Sequence, residues 1–132
     1  IEECISGFEV GCAVLGNDIL TVGEVDEIEL ADGFFDFTEK YTLKTSSIHV
    51  PARIKNDIAE QIKQTAMMIY RTLDCRGFAR VDMFLSSSGQ IIFNEVNTIP
   101  GFTTHSRYPN MMKAAGYSFE QIVSTVIEQA VR

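Results

Sequence analysis

Residues 77–102, GFARVDMFLSSSGQIIFNEVNTIPGF, leave a chain of this kind little freedom. Two extended runs flank Ser87-Ser88-Gly89-Gln90, whose composition is that of a turn. Side chains alternate between faces in a strand, so Arg80, Asp82 and Phe84 share one face, and Phe93, Glu95 and Asn97 share one face of the return strand. A four-residue loop pairs Phe84 with Phe93, Asp82 with Glu95 and Arg80 with Asn97. Two carboxylates, an amide oxygen and a guanidinium then lie on one surface, with two aromatic rings at its end. Magnesium is usually held by one or two carboxylates together with substrate phosphates and water, so the face reads as a magnesium and phosphate site on the wall of a cleft.

The flanking segments predict an α+β domain with a mainly antiparallel sheet and flanking helices. IEECI at 1–5, EVGCAVL at 9–15 and ILTVGEVDEIEL at 19–30 form a meander of strands, the last bending or breaking near Gly23. Residues 31–47 have no period but carry three Phe, one Tyr and two Lys, the make-up of a lid or binding loop. An extended segment at 48–52 ends at Pro51. Asn56 or Asp57 caps a helix over 57–74, with Glu60 in the capping box and Ile58, Ile62, Ala66, Ile69 and Leu73 facing the sheet. TIPGFTTHSRYP after Asn97 is a loop, MMKAA a short helix stopped by Gly116. A last helix is capped by Ser118 with Gln121 and turns Ile122, Val123, Val126, Ile127 and Ala130 inward.

At 132 residues and 45% hydrophobic, the chain supplies one core. Its 18 acidic against 11 basic residues give a net charge of -7, which disfavours nucleic acid or an anionic membrane as partner. No apolar stretch reaches bilayer length and no basic leader precedes one. Cys4, Cys12 and Cys75 have neither metal-ligand spacing nor an even count and sit among apolar residues, which predicts buried thiols and a reducing, cytoplasmic setting. Ile1 opens directly on a strand-like run, as expected of a fragment of a longer protein.

Each candidate has a plainer reading. Asp82, Glu95 and Asn97 could be solvated positions on an exposed hairpin face, and Arg80 could simply neutralise its neighbours, although its planar fork also suits a phosphoryl group. Lys40 alone is a surface charge until a phosphate contact is shown. Glu2 and Glu9 read as acidic edge-strand positions. His49 and His105 lack a third ligand, which argues against zinc; Ser106 has no nucleophile elbow; and Gly77, Gly89 and Gly101 form neither a Walker loop nor a dinucleotide fingerprint.

IEECISGFE at the start, EKY at 39–41, GFARVDMFL at 77–85, FNEVNTIPGFTTHS at 93–106 and the terminal YSFEQIV together resemble the C-terminal ATP-grasp part of D-alanine:D-alanine ligases, in the family's order across all 132 residues. The resemblance implies ATP-dependent activation of a D-alanine carboxylate as an acyl phosphate, followed by attack of a second D-amino acid's amine. It assigns Asp82, Glu95 and Asn97 to two magnesium ions, or manganese in their place. Lys40 is assigned to the phosphates, and Arg80 with the N–H of Gly101 to the oxyanion. Glu2, Ile5 and Glu9 would line adenosine, with Phe84 against adenine. Ser106 would hold the second substrate's carboxylate, and Tyr41 would close over the site. A homodimer is implied for the full-length protein.

One departure stands out. Where the typical D-alanine:D-alanine ligase has an apolar residue after the THS serine, this chain has Arg107. An arginine favours a substrate bearing a hydroxyl, as an apolar pocket cannot. Phe35, where housekeeping enzymes often carry Tyr, fits the same variant. The pattern resembles the D-alanine:D-serine ligases of vancomycin resistance, of the VanG and VanC type, whose dipeptide goes into a peptidoglycan precursor that binds vancomycin less well. A buried Arg107 needs an acid, and Asp26, Asp32 and Asp36 are all candidates. The N-terminal substrate domain and the first part of the ATP-grasp are expected to lie outside this stretch. The rival readings are a D-alanine:D-alanine ligase, a non-catalytic ATP-grasp-like binding module and a structural α+β domain.

Overall fold

β1, Gly7–Leu15, is the strand on which the sheet is built. The computed structural model describes residues 1–30 and 46–131, with the side chain of Ser46 left aside. β1 pairs antiparallel with β2 (Thr21–Val22), β3 (Asp26–Leu30) and β5 (Phe78–Ser86); β4 (Ser46–His49) extends the sheet beyond β3, and β6 (Ile91–Asn97) beyond β5. The order is β4-β3-β1-β5-β6, which is the antiparallel α+β architecture expected. β-branched residues and alternation make these strands; the Gly23–Val25 break separates β2 from β3, also as expected.

Alternation gives the sheet two different faces. Val10, Cys12 and Val14 of β1 and Val81, Met83 and Leu85 of β5 form one core with Ile62, Ala66 and Tyr70 of α1 (Asn56–Thr72). On the opposite face, Ala13, Leu15 and Phe78 meet Tyr108, Met111 and Met112 of α2 (Arg107–Ala114) and Ile122 of α3 (Phe119–Ala130). Two tyrosines fix the end of β1 from opposite sides: the Tyr70 hydroxyl donates to the Gly16 carbonyl at 2.8 Å, and that of Tyr108 to the Val14 carbonyl at 3.0 Å.

The seat of α2 follows from Gly23. A Cβ there would lie 2.9 Å from the Met111 carbonyl carbon, so only glycine lets the helix backbone come this close. The Glu24 N–H donates to the Met111 carbonyl at 3.0 Å, which fastens the middle of α2 to the segment just ahead of β3.

Several local expectations need correction. Residues 1–5 form no strand; pairing begins at Gly7. Ser46 and Ser47 belong to β4 rather than to the loop, and residues 31–45 lie outside the described residues. α1 starts at Asn56 after an extended Lys55 with no side-chain cap, so Asp57 sits in its first turn instead of capping it. Leu73 lies past the end of α1 and is 54% exposed, its inward place taken by Tyr70. α2 begins at Arg107 and contains Pro109, because a proline in the first helical turn removes no hydrogen bond. The Ser118–Gln121 capping box is present, but Ile127 and Ala130 of α3 are exposed, since the helix packs along the edge that carries Ile122 and Val126. Of the cysteines, Cys12 is buried, Cys75 half-buried and Cys4 exposed. Burial pushes the Cys12 thiol up to about 12.

Candidate functional site

The site lies on the face of the sheet that carries Glu9, Gly11, Arg80, Asp82 and Asp26. Register assembles it: Gly11 pairs with Asp26 on one side and Asp82 on the other, Glu9 with Phe84, Asp82 with Glu95, and Arg80 with Asn97. The two polar pairs expected of the hairpin are therefore present. The aromatic pair is not. A β-bulge falls between Asp82 and Met83, so Phe84 opposes Ile92, while Phe93 opposes Met83 and is 49% exposed. The cleft wall argued from paired phenylalanines has to be withdrawn.

Asp82 is completely buried and both its oxygens are engaged. Arg80 grips it bidentately, Nε to Oδ1 and Nη2 to Oδ2, each at 2.8 Å. Arg107, the first residue of α2, reaches down from the other side. Its Nε and Nη2 donate to the two carboxylate oxygens of Asp26 at 2.8 Å, its Nη1 to Glu9 Oε1 at 3.0 Å, and Nη1 also lies 3.6 Å from Asp82 Oδ1. Of the three aspartates considered for Arg107, the partner is Asp26; Asp32 and Asp36 lie outside the described residues.

Electrostatics explain why this cluster is stable. Only 11% of the Arg107 side chain is exposed. Burial works against its charge, but Asp26, Asp82 and Glu9 outweigh it and raise its pKa further. Bidentate geometry on a buried carboxylate is the condition under which such an ion pair compensates its desolvation. For Glu9 burial prevails over the attraction of Arg107, Asp82 adds to it, and the carboxyl is raised above its ordinary value.

Ser106 immediately precedes α2. Its Oγ accepts the Thr103 N–H at 2.9 Å and lies 2.7 Å from Thr103 Oγ1, while Asn110 Nδ2 donates to the carbonyls of Ser106 at 2.9 Å and Thr104 at 3.1 Å. Gly101 stands against it: a Cβ at 101 would be 2.8 Å from Ser106 Oγ. Thr103 and Asn110 did not come out of sequence reasoning; the signal was the density of small hydroxyl residues in this loop.

The remaining candidates divide. Glu9, Phe84, Arg80, Asp82, Glu95, Asn97 and Arg107 come together on or over one sheet face, and Gly101 lies beside Ser106 in the loop leading into α2. Glu2 is exposed and Ile5 half-buried, both ahead of β1. Phe35, Lys40 and Tyr41 lie outside the described residues. Asp82, Glu95 and Asn97 are hard oxygen donors, suited to magnesium with substrate phosphates, and Asn97 Oδ1 already accepts the Ile99 N–H at 3.2 Å. Among the described residues no three His, Cys, Asp or Glu side chains are grouped to hold a metal unaided. No described helix is long and apolar enough to cross a membrane.

The family described as D-ala D-ala ligase C-terminus matches residues 1–128, and the chain belongs to it. Among individual proteins, it is similar to the VanG D-Ala:D-Ser ligase from Enterococcus faecalis, with 63% identity, a TM-score of 0.86 and coverage of 96% of this chain and 37% of that one. It is 49% identical to a vancomycin C-type resistance protein of Enterococcus gallinarum over 98% of this chain and 38% of that protein, and 44% identical to a D-alanine–D-alanine ligase of Chlorobium luteolum over 99% and 37%. A D-alanine–D-alanine ligase of Bacillus anthracis complexed with ATP is 29% identical, with a TM-score of 0.80, over 99% of this chain and 42% of that one. The chain thus spans well under half the length of these relatives.

Proposed function

We propose that this chain is the C-terminal part of an ATP-dependent ligase that joins D-alanine to D-serine. The observation that carries the choice of amino acid is Arg107. It directly follows Ser106, Asp26 and Glu9 hold it in place, and its Nη2 has a second N–H beyond the one given to Asp26. A donor fixed in this way recognises a hydroxyl, and a site built to hydrogen-bond a hydroxyl discriminates far more strongly than an apolar pocket can. The likeness to the VanG D-Ala:D-Ser ligase supports the same reading.

In this reading the first D-alanine's carboxylate takes the terminal phosphoryl group of ATP, and ADP leaves. The second amino acid's amine attacks the acyl carbon, inorganic phosphate departs, and the new amide nitrogen gives up its proton. Arg80, with donors beyond the pair it gives Asp82, and the Gly101 N–H stabilise the tetrahedral oxyanion. Ser106 is suited to the second substrate's carboxylate: its Oγ accepts from the Thr103 N–H, so its own proton can be donated to an anion. Glu9 and Phe84, neighbours across β1 and β5, serve adenosine, with Glu2 and Ile5 ahead of them. Lys40 is assigned to the phosphates, and Tyr41 and Phe35 to the substrate. Asp82, Glu95 and Asn97 hold magnesium, which when bound supplies positive charge to the phosphate oxygens.

The test is competition. The full-length enzyme is offered D-serine, D-alanine and D-lactate together, and D-serine should be preferred, with the preference lost in Arg107→Leu. Equal or better use of D-alanine, unaltered by that substitution, would sink the D-serine reading. Full activity in Glu95→Ala would remove the metal assignment.

A further inference from the structure

We propose that Gly11 is a positioning residue for substrate choice: the missing side chain at position 11 is what lets the Arg107 guanidinium settle between Asp26 and Asp82. The proposal rests on the role given to Arg107 above. One row across the sheet runs Asp26, Gly11, Asp82, Glu95, with Gly11 in register with both aspartates. A Cβ on Gly11 would lie 2.5 Å from Arg107 Nη2, 2.7 Å from Asp26 Oδ1 and 3.2 Å from Asp82 Oδ1. The first two separations are inside van der Waals contact, so one methyl group would occupy the space the ion pair uses.

Backbone conformation gives no other reason for a glycine here. Among the described residues the positive-φ glycines are 7, 16, 77, 89 and 116, and Gly11 is a paired residue in the interior of β1. Glycine weakens a strand interior, and where one persists it commonly marks the close approach of another group. At Gly11 that group is the Nη2 end of Arg107, the same nitrogen whose second N–H is assigned to the substrate hydroxyl. The three nearest atoms the Cβ would meet are all ends of side chains and none is backbone. The sheet can therefore accept alanine, whereas the guanidinium cannot keep its bidentate hold on Asp26. Gly11→Ala thus re-aims the donor from a position that never touches substrate.

The experiment compares wild type, Gly11→Ala, Arg107→Leu and the double variant of the full-length protein, reading the ratio of kcat/KM for D-serine over D-alanine and the melting temperature of each. Gly11→Ala should lower the ratio by roughly tenfold or more, and the double variant should show no further loss beyond Arg107→Leu. A wild-type ratio in Gly11→Ala alongside a lost ratio in Arg107→Leu overturns the proposal. If Arg107→Leu itself keeps the ratio, the role of Arg107 has failed and the cradle is judged by melting. A destabilisation by Gly11→Ala that disappears in the Arg107→Leu background upholds it, and the same loss in both backgrounds overturns it.

Discussion

The two faces of β1 differ in what their register neighbours are and in what covers them. On one, Val10, Cys12 and Val14 lie under Ile62, Ala66 and Tyr70 of α1, and the contact is apolar throughout. On the other, Glu9 and Gly11 lie beneath the first residue of α2, and Asp26, Asp82, Arg80 and Arg107 fill the space. Both faces are well buried, but they are buried by different physics. The α1 face is held by non-directional burial of apolar area and tolerates apolar side chains of suitable volume. The α2 face joins an apolar patch, where Ala13 and Leu15 meet Tyr108, Met111 and Met112, to oriented ion pairs at its Glu9–Gly11 end, each of which leaves an uncompensated charge if its partner is removed. One strand, alternating every second residue, thereby serves as core alone on one side and as core beside chemistry on the other.

The largest effect should come from the charged face. Asp82→Asn keeps the shape but removes the charge that Arg80 grips and that the proposed metal site requires. A loss of several kcal/mol of transition-state stabilisation lowers kcat by roughly a thousandfold. Wild-type turnover by the full-length enzyme in a coupled ADP-release assay would contradict that. Next, Asp26→Ala strands the Arg107 guanidinium and should cost about 3–5 kcal/mol in denaturant unfolding, with D-serine preference falling as well. An unchanged midpoint would mean that the pair contributes little.

On the apolar face, Ile62→Ala should destabilise by about 2–5 kcal/mol through the cavity it leaves, while the D-serine to D-alanine ratio stays at its wild-type value. A changed ratio would break the separation between the two faces. The smallest effect belongs to Arg76, whose side chain is 69% exposed and lies 3.8 Å from an Asp74 that is 87% exposed. Solvent screening makes such a pair weak, so Arg76→Ala should leave the melting temperature within error of wild type. A clear fall would show that charge pairing stabilises this fold regardless of burial.

The register of the reactive pairs was legible because a two-residue period and a four-residue turn at 87–90 leave few ways to align Asp82 with Glu95. The bulge beside Met83 was not. It lies in a run without glycine or proline, and it shifts only the turn-side half of the hairpin, which is why Arg80–Asn97 matched and Phe84–Phe93 did not. Helix α1 showed its period, but its first residue depends on where the extended chain at Lys55 turns, which side-chain pattern does not reveal. α2 was hidden by Pro109, a helix breaker except in the first turn. The partner of Arg107 could not be chosen among three aspartates because Asp26 is 81 residues away and is selected by the pairing of β3 with β1. Gly11 carried a readable signal, a glycine interior to a strand, but its meaning required knowing what approached it.

The tyrosines that fasten the end of β1 give this protein an optical gauge of its own integrity. The chain has four Tyr and no Trp, so phenolate absorbance is a clean near-ultraviolet signal. Burial pushes the Tyr70 hydroxyl up to about 12 and raises that of Tyr108 as well. Groups raised in this way stabilise the folded chain fully below the ordinary tyrosine value of about 10, and that contribution is lost as the solution is made alkaline enough to ionise them in place. In an alkaline titration the late fraction of the colour therefore reports when α1 and α2 let go of the sheet, one tyrosine for each side, without any label attached.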